Sequence, residues 1–332
     1  GWSPARGYPA AGAVDLETVD WQARWGRTSP ALLGAWDPPE LAPIDGNPIS
    51  LLDGLAAYGL VRAMETVSDQ TRFTMPETMR EFGLEELDRA GELRAAQHAF
   101  AVQMMFTAEF GGLCLWNRER LTWIKRLTAE IDNMLAALDW VHAQPPPADQ
   151  IGARLAESLW QFWQTCGYTT EGCRQIERVL ARHSTDPMMR AAALNVLGVL
   201  RWSQGDANKA KTALMEALAI SEANGYEIGS AHAWFFLALV NWMEKDFAGL
   251  AENARKALAF FTKCNDRLGM GMAMVVLAIL ARAQADFATA ERLLIAAKAH
   301  AIESQYLWGE ATSDYYLGEI KRAQAAAQRA AL

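Results

Sequence analysis

The strongest pattern of apolar and small positions in this chain recurs every 40 residues between 191 and 320. Four leucines carry the register, and a small residue follows each of them: Leu197-Gly198, Leu237-Ala238, Leu277-Ala278 and Leu317-Gly318. Two further columns keep the same step: Asp206, Asp246 and Asp286, then Gly229, Gly269 and Gly309. Apolar residues from 150 onward have helical spacing, and the helices come in pairs. Repeated helix pairs predict an α-solenoid, because one pair cannot bury its apolar face alone.

Each column has a predicted role in the helix pair. Small residues at the Gly198 column, and at Ala210 and Ala217 in the second helix, allow close helix approach. The Asp column sits where a helix begins and is expected to cap free backbone N–H groups. The Gly column, at Gly229, Gly269 and Gly309, is expected to end the second helix or to admit a positive φ.

The pattern before the repeats is different and predicts short mixed elements. Apolar spacing over 50–58 predicts a helix that Gly59 ends. Leu60–Met64 and Arg72–Met75 predict two strands, with the polar run Glu65–Gln70 as the turn between them. Pro76–Ala90 predicts a helix with its proline in the first turn. Its inward residues are expected to be Met79, Phe82, Leu84 and Leu87. Helix, β-hairpin and helix form the back half of a winged-helix domain.

Two long helices, Glu92–Glu109 and Leu121–His142, are predicted to connect this region to the solenoid. Three prolines at 145–147 end the connector, and an imperfect repeat follows at Ile151–Arg182, about two residues out of register. The last copy reaches Leu332 partway through its second helix. That ending and the absence of an initiator Met are expected of a fragment.

Residues 1–50 hold seven of the twelve prolines and predict mainly turns, with short helices around Asp15–Trp25 and Pro30–Trp36. The predicted organisation therefore has four parts: an irregular segment at 1–48, a winged-helix-like domain at 49–90, a helical connector at 91–144 and the solenoid at 150–332. The fold class is mainly α.

Composition narrows the class of function. Hydrophobic residues make up 51% of the chain, and the formal net charge is −8, which disfavours a chain-wide nucleic-acid surface. The four cysteines form no CxxC pair, as expected of thiols in a reducing cytosol, and we expect a cytoplasmic protein. No apolar run is long enough to span a membrane.

Catalytic and metal-binding patterns are not evident in the sequence. The five histidines form no pair at metal-ligand spacing, and Gly26-Arg27-Thr28-Ser29 lacks the Lys of a phosphate-binding loop. We therefore predict a non-enzymatic chain without a cofactor. Residues 51–100 hold five Arg, no Lys and nine acidic residues, so their local charge of −4 would repel a duplex. Direct DNA binding by the winged helix remains an alternative.

The small-residue columns resemble those of tetratricopeptide repeats, although the step is 40 residues rather than the usual 34. That resemblance implies that three columns of the first helices face a concave groove. The nine groove residues are Asn195, Val199, Trp202, Phe235, Leu239, Trp242, Val275, Ile279 and Arg282. Trp and Arg are common at binding hot spots, but the tryptophans would equally fill gaps between stacked helices. Trp160 and Trp163 are expected in the core where the solenoid begins.

A second resemblance concerns three segments outside these columns. Phe73–Leu87 resembles the segment that ends the winged helix of LuxR-type and AfsR-type bacterial regulators, which are STAND ATPases of the NB-ARC kind. Glu130–Trp140 and Leu155–Gly172 resemble later segments of the same proteins, and Gly1–Pro4 resembles the start of their winged helix. The resemblance implies that an ATPase module precedes this region in a longer parent.

The leading hypothesis is a sensor region of such a signal-transduction ATPase, a transcriptional regulator. Its solenoid would bind a small-molecule inducer or a protein, and its winged helix would relay to the ATPase. The alternatives are a plain tetratricopeptide scaffold for protein–protein interaction and a winged-helix DNA binder. Self-association is left open, and no membrane partner is expected.

Overall fold

A computed structural model describes residues 48–64, 72–145, 148–182 and 186–330. The expectations for the N-terminal segment, for the turn at 65–70 and for the prolines at 146–147 lie outside the described residues. Elements are numbered below in chain order among the described residues.

The N-terminal elements follow the order that the sequence predicts. Helix α1 (Pro48–Ala57) precedes strands β1 (Arg62–Met64) and β2 (Arg72–Thr74), which pair antiparallel with Ala63 opposite Phe73. Helix α2 (Glu77–Ala90) then begins after Pro76 and ends at Gly91, whose φ of 76° gives a left-handed cap. Helix, hairpin and helix are thus present in the described part of the chain.

The predicted inward face of α2 is only partly covered. Met79, Leu84 and Leu87 are half-buried, but the helix has no fully buried residue and Phe82 is 53% exposed. Among the described elements α2 packs mainly on α3 (Leu93–Cys114), and that contact is slight. An apolar face is buried only where another element covers it, so helical spacing alone did not determine burial here.

A helical layer joins the N-terminal elements to the repeats. It consists of α3, α4 (Arg120–Ala143), α5 (Asp149–Ser158), α6 (Trp160–Thr165) and α7 (Thr169–Ala181). Their core contains the fully buried side chains of Trp123, Met134 and Trp163. Within it, α3 and α5 are held by a two-point ion pair in which Arg154 donates to both oxygens of Glu109, at 2.6 and 2.9 Å.

Three regular helix pairs form the solenoid. They are α8 (Pro187–Ser203) with α9 (Ala207–Ala223), α10 (Glu227–Glu244) with α11 (Phe247–Lys263), and α12 (Arg267–Ala283) with α13 (Phe287–Glu303). Each helix packs on its partner in the pair, and each second helix packs on the first helix of the next pair, which buries a continuous core. The predicted α-solenoid with a 40-residue repeat is confirmed.

The Asp column caps the second helix of each pair, as the sequence predicts. Asp206 accepts a hydrogen bond from the backbone N–H of Lys209, and Asp246 and Asp286 repeat this geometry with Gly249 and Thr289. Each carboxylate satisfies one of the amide donors that a helix start leaves free.

The predicted role of the Gly column is wrong. Gly229, Gly269 and Gly309 lie in the first turns of α10, α12 and α14 (Leu307–Ala330), not at left-handed positions. A Cβ there would come within 2.3–2.5 Å of an aromatic ring, that of Tyr226, Phe261 or Tyr306. The lack of a side chain at these glycines therefore leaves room for the aromatic rings to pack against the helix backbone. The left-handed turn residues lie elsewhere, spaced 20 residues apart: Gly205, Gly225, Lys245, Asn265, Ala285 and Gln305.

The last repeat also differs from its prediction. The sequence predicts a second helix within the final copy, but α14 continues unbroken from Leu307 to Ala330. The position of the capping aspartates is occupied there by Ala326, within an Ala-rich run that favours helix. With no cap and no turn residue, nothing interrupts the helix.

The helical layer contacts the last repeat across the concave side of the solenoid. Trp116, in the connection between α3 and α4, contacts Tyr306, in the connection between α13 and α14, with ring centroids 5.2 Å apart. The two residues are 190 positions apart in the sequence, so this contact closes the concave side of the solenoid. Within the described residues, no helix is both long enough and apolar enough to cross a membrane.

The half-buried His142 makes stability depend on pH. Burial, and then the positive charge of Arg178, lower the pKa of His142 to about 4, while the hydrogen bond between its Nε2 and the accepting Oε1 of Gln175 opposes the shift. The unfolded chain has an ordinary His pKa and binds the proton more readily. Stability is therefore full above about pH 6.5 and falls as the pH drops toward 4.

We expect protonation of His142 to lower the free energy of unfolding by about 1–2 kcal/mol at pH 4. The loss is smaller than the full pKa difference implies, because the ring is partly in contact with water. Urea unfolding between pH 7 and 4 measures it. His142→Gln should reduce the slope, with a remainder from His98 and His300, whose pKa values burial also lowers. An unchanged slope in the variant would contradict the assignment.

Candidate functional site

A cavity of about 510 Å³ lies on the concave side of the solenoid. Its walls come from α6, α8, α10, α12, α13, α14, the connection between α3 and α4, and the start of α4. Aromatic side chains dominate the lining: Trp116, Trp160, Trp202, Phe235, Phe236, Trp242, Tyr306, Trp308 and Tyr316. Among the described residues, no acidic side chain lines the cavity.

Helical spacing places the wall residues on one face of each first helix. Phe235, Leu239 and Trp242 stand at i, i+4 and i+7 on α10, and Trp308, Thr312 and Tyr316 do so at i, i+4 and i+8 on α14. Because the first helices of successive pairs stack side by side, these faces join into a single apolar wall.

Trp202 serves both of the roles that the sequence left open. Its ring packs against the solenoid core, and its Nε1–H donates to the carbonyl of Leu239 at 3.1 Å. The same side chain lines the cavity. Trp242 in the next repeat is 41% exposed and also lines the cavity, so a ligand has direct access to its ring.

The end wall joins the connector to the last repeat. Trp116 contacts both Trp160 and Tyr306, at centroid distances of 5.7 and 5.2 Å, and Trp160 in turn contacts Phe236 at 5.9 Å. Tyr306 is 6% exposed, and burial raises the pKa of its phenol while the charge of Arg120 opposes that shift. The phenol therefore stays neutral at physiological pH.

Polar groups are concentrated on α6 and at the start of α4. Arg120 donates to the hydroxyl of Thr165 at 3.3 Å, and Gln164 donates to Ser203 at 2.7 Å. Gln161 lines the cavity at 7% exposure, and its Oε1 accepts no hydrogen bond. The cavity thus has an apolar body and one polar end, as organic-ligand sites commonly do.

The nine groove residues fall into three groups. The cavity is lined by Val199, Trp202, Phe235, Leu239, Trp242, Val275 and Ile279. Asn195 lies instead on a smaller cavity of about 100 Å³, where its Nδ2 donates to the Gly229 carbonyl at 3.0 Å. Arg282 stands behind the lining, with its guanidinium over the Tyr316 ring at 5.4 Å.

Other residues that line the cavity could not be identified from the 40-residue repeat. Trp116 and Arg120 belong to the connector, and only the curl of the solenoid brings them to the cavity. Trp163 is fully buried, as predicted, but Trp160 lines the cavity rather than the core alone. A helix break at Leu159 separates α5 from α6, which carries both tryptophans.

The described residues contain no group of three His, Cys, Asp or Glu side chains that could hold a metal ion. All four cysteines are free thiols. Burial raises the pKa of Cys166, Cys173 and Cys264, so these thiols stay protonated at neutral pH.

No protein-family model and no curated protein matches this sequence. Solved structures that resemble the fold include BtubC (BKLC) from P. vanneervenii, at TM-score 0.46 and 16% identity, covering 61% of this chain and 92% of that one. A putative kinesin light chain with TPR-like repeats from Podosopora anserina gives 0.42 and 19%, covering 54% and 90%.

A Rap protein complexed with competence and sporulation factor gives a TM-score of 0.44 and 18% identity, covering 74% of this chain and 73% of that one. All these TM-scores lie below 0.5. The repeat architecture therefore rests on the helix pairs described above.

Proposed function

We propose that this chain is a binding module whose concave cavity takes an apolar organic ligand. The observation that carries the proposal is the aromatic cavity of about 510 Å³. That volume lies within the range of roughly 300–1,000 Å³ that small-molecule sites occupy. An extended apolar lining without a ligand exposes tryptophan to water, and an apolar ligand would remove that surface from water.

The closed wall favours a small ligand over a long peptide. A peptide groove runs along a solenoid and stays open at both ends, whereas Trp116 and Tyr306 meet here and close one side. The surface that remains accessible includes Trp242 and Trp308, which are 41% and 58% exposed. These two rings would form the entrance.

The first test uses the neutral apolar probe N-phenyl-1-naphthylamine, followed by fluorescence titration. We expect saturable binding, and we expect Trp242→Ala to raise the Kd about tenfold because one aromatic contact is worth about 1 kcal/mol or more. Trp242 is partly exposed, so its truncation should leave the fold intact.

Trp234→Ala is the matched control. Trp234 lies on the same helix but is not among the cavity-lining residues, and its ring is covered by Lys256 at 4.1 Å. Its substitution should leave the Kd unchanged. Non-saturable binding, or equal weakening by both substitutions, would refute a site in the cavity.

We also propose that the module is the sensor region of a STAND-type transcriptional regulator. The supporting observations are the family-like segments and the order of helix, hairpin and helix before the connector. Arg72 of β2 pairs with Glu130 of α4 at 3.0 Å, which supplies a contact through which the hairpin would respond to the connector. In such a regulator, Trp242→Ala would lower ligand-dependent transcription from a reporter.

A protein–protein scaffold is the second candidate, and the exposed Trp242 and Trp308 favour it, since a partner's side chain could enter between them. The probe distinguishes the two functions. A protein partner that displaces bound N-phenyl-1-naphthylamine would occupy the entrance between Trp242 and Trp308 and support the scaffold.

A further inference from the structure

Among the described residues that line the cavity, Arg120 has the one charged side chain, a guanidinium. The other lining side chains are apolar, aromatic, or polar but uncharged. Arg120 is half-buried and donates to the neutral hydroxyl of Thr165. None of the ion pairs among the described residues includes it, although its sequence neighbour Glu119 is close by and accepts from Trp123 Nε1 at 3.1 Å.

Three of the seven arginines of this layer are paired with carboxylates. Arg154 pairs with Glu109, Arg174 with Glu171 and Arg178 with Asp139. Partial burial of a guanidinium without an anion is unfavourable, because the fork geometry and full charge of Arg suit a carboxylate or phosphate. The Arg120 guanidinium can therefore bind an anion on the cavity side.

A second unused group lies on α6, the helix that Arg120 contacts through Thr165. Gln161 is more than nine-tenths buried, lines the cavity, and has an Oε1 without a hydrogen-bond partner. Buried amide groups are nearly always hydrogen-bonded. Thr165, which accepts from Arg120, lies one turn further along the same short helix. The polar end thus presents a cation, an amide and a hydroxyl together.

Resting on the proposed function, we infer that the ligand is a small aromatic or aliphatic carboxylic acid, with its carboxylate on Arg120 and its apolar body between the aromatic walls. The aromatic lining alone would equally suit an organic cation. The charge of Arg120 and the lack of any lining acid oppose a cation. An aromatic monocarboxylate satisfies both the charge and the apolar lining.

The test compares 1-naphthylacetate with its neutral amide, 1-naphthylacetamide, by isothermal titration calorimetry. The two compounds share one apolar body and differ only in charge. We expect the acid to bind more tightly than the amide, and Arg120→Gln to weaken the acid about tenfold to hundredfold while changing the amide little. Arg120→Lys, which keeps the charge without the fork, should retain part of the preference.

Arg118→Gln is the matched control, since Arg118 is exposed on the same connection and is not a lining residue. It should leave both affinities unchanged. Equal binding of acid and amide, or equal loss in the two glutamine variants, would overturn the inference even if N-phenyl-1-naphthylamine still binds. Failure of all three compounds to bind would overturn the proposed function itself. Tighter binding of a short peptide ending in Phe than of 1-naphthylacetate would overturn the small-acid class.

Discussion

Arg154→Met is expected to lower the free energy of unfolding by about 3–5 kcal/mol, the largest loss that a single polar substitution should cause here. Arg154 and Glu109 are only 16% and 8% exposed, and their two hydrogen bonds join α5 to α3. Removing the guanidinium leaves a carboxylate buried without its counter-charge. Urea unfolding at pH 7 measures the loss.

Two further variants test whether the loss arises from the burial of the ion pair or from ion pairing alone. Arg174→Met removes an exposed partner of Glu171 and should cost less than about 1 kcal/mol. The double variant Glu109→Leu/Arg154→Met replaces both charges by apolar groups and should recover most of the stability. If the double variant is as unstable as Arg154→Met, the ion pair itself holds α3 and α5 in position. Its contribution would then be more than compensation for the cost of removing two charges from water.

Phe261→Ala is expected to cost about 3–5 kcal/mol, because truncating a fully buried ring leaves a cavity. The ring contacts Phe235 and His232 at centroid distances of 6.3 and 5.5 Å and covers Gly269. Phe235 lines the binding cavity, so the same substitution should also weaken binding of N-phenyl-1-naphthylamine.

The contact between Phe261 and Gly269 gives this prediction an internal control. In Gly269→Ala the added Cβ would lie 2.4 Å from Phe261, and we expect a cost of about 1–3 kcal/mol from overpacking. In Phe261→Ala/Gly269→Ala the new methyl group enters the space that the ring vacated. The double variant should therefore be more stable than Phe261→Ala alone, and a purely additive loss would contradict the contact.

Local features of the repeat could be predicted from the sequence because their causes are local. Asp206 caps the helix that begins beside it, so its position in the turn was enough to identify its role. Apolar spacing likewise predicted that the helices of this region come in pairs.

Roles that depend on a neighbour could not be assigned in the same way. The glycine column is regular in the sequence, but a column does not show whether the glycine turns the backbone or accommodates a ring. The rings that cover Gly269 and Gly309, Phe261 and Tyr306, stand at different distances along the chain. Similarly, the apolar spacing of α2 predicted a buried face, whereas Phe82 is exposed because little packs over it.

The sequence by itself determined the helix pairs and their caps, since these follow from periodicity within 40 residues. Most of the concave columns followed from the resemblance to tetratricopeptide repeats. Only the tertiary structure decided which residues form the cavity. Trp116 and Arg120 approach Tyr306 across about 190 residues, through the summed rotation of successive helix pairs. That rotation depends on how side chains pack between neighbouring helices. The charged end of the cavity, and with it the class of ligand, follows from that packing.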